Sequence, residues 1–98
     1  MQGGDLVGTW CLIRSEQPWE ESLEMTFHGD GRLTTCVRMG SQPRVVHVAY
    51  RIAGGTLFLD GGGEGQEERV VVSLEEGGRL LVMESGGRRT WLRRVSPY

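Results

Sequence analysis

Two side chains pair reactive chemistry with an inward-facing strand position: Tyr50 and Glu68. Tyr50 sits among Val46, Val48 and Ile52, and its phenol can donate a hydrogen bond to a carbonyl. Glu68 opens a strand beside the glycine-rich stretch 61–66 and is the one acid that the alternation places inward. Group-transfer or hydrolytic chemistry needs a nucleophile with its base, or carboxylates that converge. The sequence offers neither pattern, so Tyr50 and Glu68 are weak catalytic candidates. His28 and His47 fall on outer or turn positions with no cysteine or carboxylate at metal-ligand spacing. No metal and no cofactor is expected. Cys11 and Cys36 face outward on the first and third strands. An intervening strand sets them about 9–10 Å apart, beyond the ~7 Å that a disulfide spans. Free thiols are expected.

The strands that position these groups follow from period-2 alternation. Residues 6–15 read as the first strand, with Leu6, Gly8, Trp10 and Leu12 on one face and Val7, Thr9, Cys11 and Ile13 on the other. Gly8 leaves room for the Trp10 indole to lie across the strand and plug one end of a small closed sheet. Strands then follow at about 23–28, 33–39, 44–52, 56–60, 68–74, 79–85 and 88–95, with turns at His28–Gly31, at 40–43, at 53–55, at 75–78 and at Gly86-Gly87. Leu12, Met25, Phe27, Val37, Val48, Tyr50, Leu57, Val72 and either Leu81 or Leu80 line the interior. Trp19 stands in the polar connection after Pro18, where no core periodicity explains it. It either covers the barrel end or contacts a ligand as a lid.

Ninety-eight residues fit one domain, 1–98, with a small core. Sixteen glycines against three prolines suit many short strands rather than helices. All the basic residues are arginine, the composition of a GC-rich genome. A net charge of −2 gives no electrostatic case for nucleic acid or an acidic membrane. No apolar run is long enough for a membrane-spanning helix, and a cytoplasmic location is expected. Eight short strands with closely spaced turn signals predict an all-β fold, a small antiparallel up-and-down (meander) barrel. Connections are too short for an easy Greek-key crossing.

Four stretches resemble one family. Leu6-Val7-Gly8-Thr9-Trp10 resembles the G-x-W opening strand of lipocalin-like (calycin) proteins, and Thr26-Phe27-His28-Gly29-Asp30-Gly31 is similar to the second hairpin of their compact bacterial members. The Tyr50–Leu59 step and the closing pair of strands, Leu80–Glu84 and Trp91–Val95, look like that group too. The resemblance implies a small meander barrel in which an arginine, Arg93 or Arg94, packs on Trp10. With the inward faces, the best reading is a binder of a small apolar or amphipathic molecule, with Trp10, Leu12, Trp19, Met25, Phe27, Val37, Val48, Tyr50, Leu57 and Val72 as the ligand-binding set. One alternative is a catalytic barrel that cyclises or isomerises a reactive compound by shape and water exclusion. Another is an interaction module with a filled core. The outer residues Val7, Cys11 and Ile13 suggest a homodimer.

Overall fold

The computed structural model describes residues 3–16, 22–39, 42–60 and 67–96. Trp19 and the stretch 61–66 lie outside them. Alternating sequence becomes strand almost throughout: β1 (Gly8–Ser15), β2 (Ser22–Phe27), β3 (Arg32–Met39), β4 (Gln42–Ala53), β5 (Thr56–Asp60), β6 (Glu67–Glu75), β7 (Leu80–Ser85) and β8 (Arg88–Ser96). Each strand pairs antiparallel with the next, and β8 returns to β1, so the meander closes into the expected eight-stranded barrel. Closure satisfies the edge strands' hydrogen-bonding groups without further cover. Among the described residues the helical pieces are single 3-10 turns, at Gly3–Asp5 and Glu76–Gly78.

Two strands start two residues away from where the alternation places them, and the other boundaries agree to within one residue. β1 begins at Gly8 rather than at residue 6. Leu6 is fully buried but precedes the strand, because its carbonyl accepts a 3.0 Å hydrogen bond from Trp10 Nε1 and is thereby committed to the plug. Gly8 itself has φ of 133°, a backbone region closed to side chains with a Cβ. The glycine is required by the chain path. β4 starts at Gln42, two residues before the expected start at Arg44, and Pro43 pairs opposite Arg38 within it. A proline is tolerated there because it stands at the beginning of the strand.

The two ends of the barrel differ. At one end Leu6, Trp10, Phe27, Leu33, Leu57, Leu81 and Leu92 are all essentially buried. Arg94 seals this end: its guanidinium carbon lies 4.3 Å from the centre of the Trp10 ring. The same guanidinium donates to the carbonyls of Val7 (2.6 Å), Asp5 (2.6 Å) and Gly78 (3.2 Å). Arg93 points the other way and is exposed, opposite Cys11 and Leu80. Of the alternatives left by the sequence, Arg94 and Leu81 are the inward pair. At the opposite end the strands lead into residues 17–21, 40–41 and 61–66 and into the Gly86-Gly87 turn.

Candidate functional site

The open end holds a cavity of about 330 Å³. Its apolar lining is Leu23 and Met25 of β2, Val37 of β3, Leu59 of β5, Val70 of β6 and Met83 of β7. Thr35, Glu68, Ser85, Arg88 and Thr90 supply the polar part. These residues hold inward positions, as period-2 alternation from the buried Leu33, Val72, Leu81 and Leu92 requires. On three neighbouring strands the inward side chains become smaller or more polar toward this end: Val72, Val70, Glu68 on β6; Leu81, Met83, Ser85 on β7; Leu92, Thr90, Arg88 on β8. Large side chains fill the plugged half and leave the other half hollow.

Thr90 is the one buried polar side chain among the described core residues, 8% exposed, and its hydroxyl shares a 3.2 Å hydrogen bond with Ser15 Oγ. Arg88 pairs across from Ser85, and Glu68 across from Leu59. An acid and a guanidinium therefore both border one apolar-floored cavity.

The residues singled out from sequence divide into groups. Met25, Val37 and Glu68 line the cavity. Trp10, Phe27, Leu57 and Val72 belong to the packed half, and Val48 and Tyr50 pack against it. Leu12 borders a separate hollow of about 370 Å³ shared with Cys11, Glu24, Cys36, Arg38 and Pro43. An irregularity in the β1–β8 pairing between Leu12 and Arg14 displaces this end of β1 from the regular register. The other cavity residues, Leu23, Thr35, Leu59, Val70, Met83, Ser85, Arg88 and Thr90, were not among the site residues expected from sequence. Val70 shares the face of Val72, two residues nearer the opening, and that shared face was the available signal.

Tyr50 donates its hydroxyl to the His28 carbonyl at 2.8 Å, and its ring meets Phe27 edge-to-face with centroids 5.1 Å apart. The phenol is thus engaged at the β2–β3 hairpin, away from the cavity. Burial, with a contribution from the Asp30 charge, pushes its pKa above the ordinary tyrosine value. Across the outer face of β2–β4, His28 Nε2 lies 3.0 Å and His47 Nδ1 lies 3.1 Å from the same atom, Thr34 Oγ1. Two histidines far apart in sequence thus meet on one hydroxyl. Pairing of Thr34 with His47 depends on the length of the β3–β4 connection, which alternation alone does not give.

Cys11 and Cys36 are free thiols on either side of Glu24 in one lateral row. Burial raises the Cys11 pKa first, and the Glu24 carboxylate, 3.8 Å from its sulfur, raises it further. A thiol held protonated in this way is not an activated nucleophile. On the same outer face Thr9 shares a 3.1 Å hydrogen bond with Thr26, while Val7 is half-buried and Ile13 is 50% exposed. The apolar residues proposed for a dimer contact alternate with these polar rows.

No family model, curated protein or solved structure matches this chain.

Proposed function

We propose that the protein is a lipocalin-like barrel that binds a small apolar or amphipathic molecule in its open end. The observation that carries this reading is the asymmetry of the interior: a packed, arginine-sealed plug at one end and an apolar-floored cavity of about 330 Å³ at the other. That volume falls at the small end of the range for small-molecule sites, which combine an apolar lining with a few placed polar groups. Val37 and Met83, both half-buried, give a ligand's apolar body surface to cover without disturbing the plug. Burying such surface supplies roughly 25 cal/mol per Å² before ordering costs, which suits modest affinity.

The test is fluorescence titration with N-phenyl-1-naphthylamine, an uncharged apolar dye. The parent is expected to bind it at one saturable site. A Val37→Trp variant fills the cavity from a half-buried position and is expected to weaken binding by about tenfold or more. An outer-face variant, Ile13→Ser, is expected to leave binding unchanged. Equal dye binding by the parent and Val37→Trp would overturn the reading and favour an interaction module.

A further inference from the structure

We infer that the open end selects a neutral head group that both donates and accepts hydrogen bonds, of the carboxamide type, over a carboxylate or an ammonium of the same chain length. The inference rests on the cavity reading above and adds the class of ligand.

Its basis is that two exposed side chains of opposite charge, Glu68 and Arg88, border the same cavity. Glu68 enters from β6 and Arg88 from β8, and the hydroxyl of Ser85 stands on β7 between them. Below lie Met25, Leu59 and Val70, so a ligand that lays its apolar part on this floor brings its polar end to the two charges. An anionic head gains from Arg88 and loses to Glu68; a cationic head meets the reverse. A carboxamide avoids both penalties: its carbonyl accepts from the guanidinium while its N–H donates to the carboxylate. Such bonds, with one partner ionised, are stronger than neutral ones. Arg88 carries five N–H donors and can serve a ligand beside a protein partner.

Octanamide, octanoate and octylammonium serve as probes, titrated into the ¹⁵N-labelled protein and followed at the amides of Val70, Ser85 and Thr90. Octanamide is expected to bind about tenfold more tightly than either charged probe, a difference of the size that one mismatched polar contact produces. Glu68→Gln is expected to bring octanoate level with octanamide, and Arg88→Gln to do the same for octylammonium. Both positions border the opening, so these variants keep the fold. Equal binding of all three probes, or an order that neither variant changes, overturns the head-group inference and leaves the cavity reading standing. If none of the probes shifts these amides, both fail.

Discussion

Trp10 and Arg94 show how much can rest on single side chains here. The indole is fully buried, and its N–H is spent on the Leu6 carbonyl. Trp10→Ala is expected to cost about 3–5 kcal/mol in urea unfolding, the range of large aromatic truncations. Arg94→Lys keeps the charge but not the planar fork that reaches three carbonyls. It is expected to lose about 1–3 kcal/mol by the same measurement. An arginine closing on Trp10 was expected from resemblance, with Arg93 and Arg94 left as alternatives. Choosing between them needs the register of β8 against β1, which no hairpin turn fixes. Tyr50 was legible as an inward residue, but the carbonyl that takes its hydroxyl belongs to another strand's turn. Its raised pKa has a definite consequence for stability. Folding favours the neutral phenol, so its contribution is complete below the ordinary tyrosine pKa of about 10 and is lost as pH rises through the higher folded value. The chain has no lysine to titrate in that window. Tyr50→Phe is expected to be about 1 kcal/mol less stable than the parent at pH 8, with the gap narrowing as pH rises above about 10, as urea titrations across that range will show.

At the scale of elements, alternation and glycine placement carried most of the information. The strand faces of β2, β3, β5 and β6 follow from period 2, because one slip would turn every apolar side chain outward. β7 was ambiguous, since Leu80, Leu81, Val82 and Met83 are all apolar, and pairing with β8 settles it: Leu81 lies opposite the buried Leu92. Gly8 was legible as special, though the backbone rather than the indole is the reason visible in the structure. Gly8→Ala is expected to destabilise by about 1–3 kcal/mol, the cost of a non-glycine residue held at strained φ. Gly29→Ala is the matched control. No atom lies within 4 Å of a Cβ added there, and its φ is ordinary, so chemical denaturation should move by less than about 0.5 kcal/mol.

The whole molecule is divided lengthwise into a solid half and a hollow half. From sequence, a filled interior and a small pocket stood as alternatives; the structure contains both, at opposite ends. The information lay in the order of inward residues along β6, β7 and β8, from valine or leucine to glutamate, serine or arginine. Reading it requires knowing that the large residues gather at one end, which only the closed topology reveals. The stability of the solid half predicts which changes the barrel tolerates. Thr35→Ser and Ser85→Ala, both bordering the cavity, are expected to stay within about 1 kcal/mol of the parent in thermal or urea unfolding, whereas Leu57→Ala in the solid half should lose about 2–5 kcal/mol.

Pairing of β1 with β8 also has a consequence in time. Trp10 and Arg94 belong to strands at opposite ends of the meander, so the plug's last contact joins residues that are synthesised far apart. During translation β1 leaves the ribosome long before its second neighbour exists, and one of its edges stays unpaired until β8 follows. A nascent barrel of this kind carries an open, aggregation-prone edge until β8 has emerged to close it.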